Sequence, residues 1–472
     1  MRSRLGALLV AGAALMVFSC GGGDSGTPAS PAGPGGSGAA SGGTSNANAS
    51  GSPNGAGTPN AGGSPSTGGS LGPGGNANSA GTQQTGGGGA QGGVAGNQGG
   101  GGAASQGGRG GQAGMTTGGS LATGGVVGTG GSMPTCGAIA STSTRPQLSS
   151  AQAADDTRLK YLAQHGTLGS LTTDNWDPTA GLGSAAAFTP KLTVAADGSG
   201  THKTVQAAID AASGSARQYI LVKPGTYREI VSIASSKPPI TLYGTDSDAT
   251  KVVIVNNQTA TSAGGTAQSA TLTSKENGLQ LLNLTVSNDY PSPNSTSQAL
   301  ALYTTGDTTV LENVRLHGFQ DTLYIDTPGA TTVSRVYIKD SFIEGDTDYI
   351  FGRATAVIDH STLNYLSSRK GTGSGVYLAP STHVDNPHGF LVIGCNFTSD
   401  AGAPSNKISL GRSWDQGGVT PTPNGQAVVR ESTLGTHISK AAPWAAAATS
   451  GRAYTANGNR FFEYCNSGPG AG

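Results

Sequence analysis

Two short segments in the middle of the chain carry acids beside amides and aromatic rings: Gln320-Asp321-Thr322-Leu323-Tyr324 and Asp348-Tyr349-Ile350-Phe351-Gly352. Asp321 and Asp348 stand 27 positions apart, close to the repeat of the β-type runs around them. If each run belongs to one coil of a stacked solenoid, equivalent residues on neighbouring coils lie about 4.8 Å apart. Two carboxylates on one small surface suit a nucleophile working with a proton donor. Two that close do not readily ionise together, so one starts protonated and serves as the acid. With aromatic rings around them, the set points to ester hydrolysis on a sugar acid.

The elements that must hold these residues are strands. After one helical stretch at Val205 to Ala212, a short unit recurs: apolar or β-branched residues, a small polar one, then an outward–inward alternation. Its keyed positions 283, 313, 340, 360, 395 and 431 are separated by 30, 27, 20, 35 and 36 residues. Irregular spacing around a coil length indicates an all-β, single-stranded right-handed parallel β-helix with loops of variable length. A β-sandwich would show hairpin turns every 8–12 residues or so instead. The register puts Cys395 and His360 at a stacked turn, as structural residues. Gln298 and Gln320 are 22 positions apart, again about one coil, so their amides can lie side by side.

Composition divides the chain. Gly supplies 80 of 472 residues and only 11% are charged. The excess is concentrated in 20–134, a low-complexity tract with hardly any apolar side chain to bury, which reads as a disordered tether. The remaining stretch, 135–472, is long enough for one solenoid domain. Net charge is zero and no basic cluster exists, which excludes nucleic acid as a partner class. At the N-terminus, Arg2 and Arg4 precede an apolar run from Leu5 to Phe18, too short for a membrane span. Residues 1–19 therefore read as an export signal. Val17-Phe18-Ser19-Cys20 resembles a bacterial lipoprotein cleavage box, so Cys20 is a candidate lipid anchor to the outer membrane or cell surface, with plain secretion as the alternative. Cys136 and Cys465 lie at the two ends of the folded region, where an oxidising compartment allows a bridge between them.

Five segments occur in order: Gly225-Thr226-Tyr227-Arg228-Glu229, Gln298-Ala299-Leu300-Ala301-Leu302, Gln320 to Tyr324, Asp348 to Gly352, and Leu410-Gly411-Arg412-Ser413-Trp414. Together they resemble the five signature segments of the pectinesterases, or pectin methylesterases, over roughly Leu192 to Gly435. The resemblance implies a carbohydrate esterase acting on methylated pectin, in its homogalacturonan part. A monomer is expected, and with no zinc or EF-hand pattern in the sequence no cofactor or metal is expected. It implies Asp348 as nucleophile, Asp321 as acid and base, Arg412 as the partner of Asp348, and Gln298 and Gln320 as oxyanion donors. Tyr324, Phe351 and Trp414 would present flat faces to pyranose rings. The chain departs from the family pattern in three places. Ser413 stands where Pro is usual, Tyr349 where Phe is commoner, and Asp346 is an extra acid expected to share a strand face with Asp348.

Other signals carry less. Gly68-Gly69-Ser70-Leu71-Gly72 matches a serine-hydrolase elbow by letters but lies in the tether, with no strand before it. The seven His residues form no metal-spaced pair; His383 and His388 are expected in a loop at the surface. A related ester or thioester substrate, or a non-catalytic pectin-binding β-helix on a tether, are the competing functions.

Overall fold

A computed structural model describes residue 136 and residues 139–290, 297–368, 374–416 and 423–472. The expected export signal over 1–19, Cys20 and the tract 20–134 lie outside the described residues.

Short strands recur once per coil. The site-bearing sheet has seven: β1 (Val231–Ile233), β2 (Leu272–Ser274), β3 (Leu302–Thr304), β4 (Leu323–Ile325), β5 (Thr347–Gly352), β6 (Val376–Pro380) and β7 (Ser409–Gly411). Their order in space is their order in the chain, and every pairing is parallel. Between consecutive strands the chain visits a second, 16-stranded sheet and returns one strand further along. This is the parallel β-helix expected from the sequence.

The second sheet bends because its long strands turn a corner. In Thr309–His317 the first half pairs with Arg335–Lys339 and the second half with Phe342–Gly345. The corner residue, Asn313, has φ 49, and its counterparts Asn283, Asp340, His360, Gly394, Glu431 and Cys465 are left-handed too. Asn and Asp tolerate that region better than most side chains, which explains their recurrence at a coil interval. One coil apart, the Asn313 amide donates to Asn283 Oδ1 at 2.8 Å.

The corner corrects one expectation. The residue at the turn is Gly394, and Cys395 lies one place further on, inside the coil and 1% exposed. There it joins an internal ladder. The Ser341 N–H donates to Ser361 Oγ, Ser361 N–H to Cys395 Sγ, Cys395 N–H to Ser432 Oγ, and Ser432 N–H to Asn466 Oδ1. Each side chain thus satisfies an N–H that the bent strand leaves without a sheet partner.

Inward positions stack into apolar columns. Leu272, Leu302, Leu323, Ile350 and Leu378 are in register on the site-bearing sheet, and Leu281, Leu311, Ile338, Ile358, Val392 and Val429 on the second. All are fully buried, each stabilising the fold by about 1.5–3 kcal/mol relative to exposure. The helix Val205–Ala211 is N-capped by Thr204 and packs Val205, Ala208 and Ile209 onto the first coils. A three-stranded antiparallel sheet of Gln164–Thr167, Ser170–Thr173 and Thr332–Val333 adds an element the sequence reading lacked. His388 sits in the expected loop but is packed against the Tyr161 ring at 4.5 Å, and burial depresses its pKa to about 4. It is a half-buried histidine. Cys136 and Cys465 are joined as a disulfide with Cα atoms 4.9 Å apart.

Candidate active site

β4 and β5 pair Leu323 with Ile350, and a bridge pairs Gln320 with Thr347. Asp321 is therefore level with Asp348 on the next coil, about one strand spacing of 4.8 Å away. The Asp321 N–H donates to Thr347 O at 3.1 Å. Both acids are nearly buried, 2% and 4% exposed, and both are left-handed, with φ 66 and 48. At Asp348 the register against β6 slips by one residue, a β-bulge. The bulge breaks the alternation, so Tyr349 and Ile350 both point into the core while Asp348 and Phe351 do not. Bulges re-aim side chains beside active sites, and here one turns an acid outward from an otherwise buried strand.

Arg412 grips Asp348 with both arms. Its Nε donates to Oδ1 at 2.8 Å and its Nη2 to Oδ2 at 2.6 Å. The guanidinium comes from two strands away. β5 pairs Phe351 with Ala379, and β6 pairs Leu378 with Gly411, so Arg412 is level with Ala379 and Phe351 and must reach back along the sheet to Asp348. The β6 residues on that line, Tyr377 and Leu378, turn their side chains into the core. Ala379, which nothing in the sequence marks, packs among Tyr324, Phe351 and Trp414.

Gln298 and Gln320 are each 6% exposed. The Ala299 N–H donates to Gln320 O at 3.3 Å, which sets Gln298 beside Gln320 and Ala299 beside Asp321. The two amides thus occupy adjacent coils at the same end of the sheet as the two acids.

The aromatic residues are brought together, though not as open faces. Tyr324 stacks on Phe351 with centroids 4.2 Å apart, and Tyr303 stacks on Tyr324 at 4.7 Å. Trp414 stands edge-on to Phe351 at 5.4 Å. Phe351 is 2% exposed, Tyr324 and Trp414 7% each. Their faces are occupied by one another, and edges border the site. Tyr303 was missed, although it precedes Tyr324 by 21 residues, a coil interval. At the far end of the wall the Tyr324 hydroxyl donates to Asp326 Oδ2 at 2.7 Å. Burial pushes both pKa values up.

Asp346 does not share a strand face with Asp348. It lies at the corner between Phe342–Gly345 and β5, fully buried, with its N–H donating to Phe319 O at 3.0 Å. Ser413, in the family's Pro position, is also fully buried and donates to Asp415 Oδ1 at 2.8 Å.

Residues 191–472 match the family model described as Pectinesterase. The chain belongs to the pectinesterase family. The match runs past Gly435, where the resemblance read from sequence stopped, to the last residue. A Ralstonia solanacearum pectinesterase is 46% identical over 372 residues, covering 71% of this chain and 93% of the relative. The rice weevil pectin methyl esterase structure is 30% identical with TM-score 0.61, covering 70% of this chain and 99% of the other. The Escherichia coli YbhC structure is 29% identical with TM-score 0.63, covering 70% and 96%. The chain is accordingly a carboxylic ester hydrolase.

Proposed function

We propose that the chain hydrolyses methyl esters of polygalacturonate, releasing methanol and leaving free carboxylates. The observation that carries this is the pair of carboxylates in register on adjacent coils, Asp321 just before β4 and Asp348 in β5, the latter held in the Arg412 fork. Asp348, kept charged and oriented by Arg412, attacks the carbonyl carbon of the carboxymethyl group. The Gln298 and Gln320 amides donate to the oxyanion without titrating. Asp321 gives its proton to the departing methoxide, and methanol leaves an anhydride between Asp348 and the sugar acid. The Asp321 carboxylate then takes a proton from water, which hydrolyses the anhydride and restores Asp348. Tyr324, Phe351 and Trp414 form a rigid wall against which homogalacturonan residues rest.

A chain that begins with an export signal over 1–19 and continues through a Gly-rich tether would present this domain outside the cell, secreted or held by a lipid on Cys20. Mass analysis of the mature N-terminus distinguishes the two. The likeness to YbhC, whose curated name proposes acyl-CoA thioester hydrolysis, supports a second reading in which the same acids cleave a thioester. Methanol release from methylated pectin, measured beside thiol release from acyl-CoA, tests both. Methanol alone supports the first; thiol alone overturns it.

A further inference from the structure

The turn that carries Arg412 and Trp414 lacks the proline usual in the family, so something else must hold it. Ser413 Oγ accepts from the Gly425 N–H at 3.0 Å and donates to Asp415 Oδ1 at 2.8 Å, while Ser413 O accepts from the Ala448 N–H at 2.8 Å. Asp415 is fully buried and receives a second fork: Arg452 Nε to Oδ2 and Nη2 to Oδ1, both at 2.9 Å. Ser450 Oγ adds a donor to Oδ2 at 2.6 Å. Burial works to raise the Asp415 pKa, yet these donors hold it below the usual carboxylate range. Arg452 Nη1 donates to Gly458 O at 3.1 Å and Nη2 also to Asn424 Oδ1 at 3.2 Å, tying the turn to the segments around both.

We propose that Asp415 and Arg452 are positioning residues: their fork fixes the turn that aims Arg412 at Asp348 and sets Trp414 against Phe351. The two forks lie back to back on one short segment. Arg412 and Trp414 hang from alternate positions of it, their N–H groups bonded to Leu378 O and Pro380 O at 2.9 Å each. Ser413 and Asp415, the residues between and after, point to the clamp. A slack turn would displace both the guanidinium at the nucleophile and the aromatic edge at the substrate. Displacements of about 1 Å in such groups cost up to 100-fold in rate. This inference rests on the roles given above to Asp348 and Arg412.

The test uses the full chain and its Arg452→Ala, Arg452→Lys and Asp348→Asn variants, with methylated pectin as substrate. Steady-state constants and melting temperatures are measured with and without millimolar guanidinium. Arg452→Ala should lose about tenfold in kcat and also raise KM, and added guanidinium should restore both. Arg452→Lys should recover less than guanidinium does, because an ammonium cannot fork. A merely structural role gives fewer folded molecules, hence a lower apparent kcat at unchanged KM with a lowered melting temperature; that pattern overturns the proposal. Constants within about twofold of wild type overturn it too. If Asp348→Asn retains full turnover, the underlying assignment of the site fails instead, and the two failures are told apart.

Discussion

At the scale of single residues, charge and geometry are inseparable here. The Arg412–Asp348 contact uses two parallel N–H donors, which a lysine cannot supply. Arg412→Lys should therefore lower kcat on methylated pectin by about 100-fold while leaving the melting temperature within a degree or two, as expected for losing one strong charge-assisted bond. Unchanged kcat would mean that a point charge suffices. The neighbouring placement of Asp321 and Asp348, and of Gln298 and Gln320, was legible from coil-compatible spacing, whereas Arg412 could be picked out only by its signature segment. Asp346 was misjudged for a plain reason. Strand alternation was carried through a corner, and the chain changes sheets between Gly345 and Thr347.

At the scale of elements, what the strands require of their small residues decides the outcome. Ala379 packs among Tyr324, Phe351 and Trp414, and its backbone neighbours are fully buried strand residues. Ala379→Leu should push these rings out of place and reduce kcat by about 100-fold, with the fold retained as judged by circular dichroism. Wild-type kcat in that variant would show that the position of the rings does not matter. The Cys395 ladder gives a stability counterpart. Cys395→Ser keeps an acceptor for the Ser361 N–H and should cost little, whereas Cys395→Val leaves that buried donor unsatisfied. Urea unfolding should place the valine variant about 1–3 kcal/mol below the serine one; equal stabilities would contradict the ladder. The coil repeat itself was readable from recurring Asn and Asp at the corner. The one-residue slip at Cys395 was not, because coil lengths vary; the neighbouring Gly394, cheapest of all residues at positive φ, was the overlooked signal.

At the scale of the whole molecule, buried titrating groups set how the fold responds to pH. Glu276 is buried in the turn after β2, and burial raises its pKa to about 7 against the partial counter-effect of Arg217. Its folded-state value exceeds the unfolded one, so the native state binds the extra proton between roughly pH 4.5 and 7, and stability falls as pH rises through that window. Glu276→Gln should match wild type below pH 4.5 and exceed it by about 3 kcal/mol at pH 8 in chemical unfolding. A difference independent of pH would contradict this. The segment before the first coil and its antiparallel sheet were not foreseen. Their fixing contacts, such as Arg335 to Asp174 or Arg430 to Ala153 O and Asp156 O, join residues far apart in the chain with no periodic pattern.

The central claim is that Asp348 does the covalent work, and the most direct measurement is methanol release from methylated pectin by wild type and Asp348→Asn side by side. The account predicts rapid release by the wild type. The variant, equally folded by melting temperature, should release none above background. Turnover by the Asp348→Asn chain at a rate near that of wild type would contradict it.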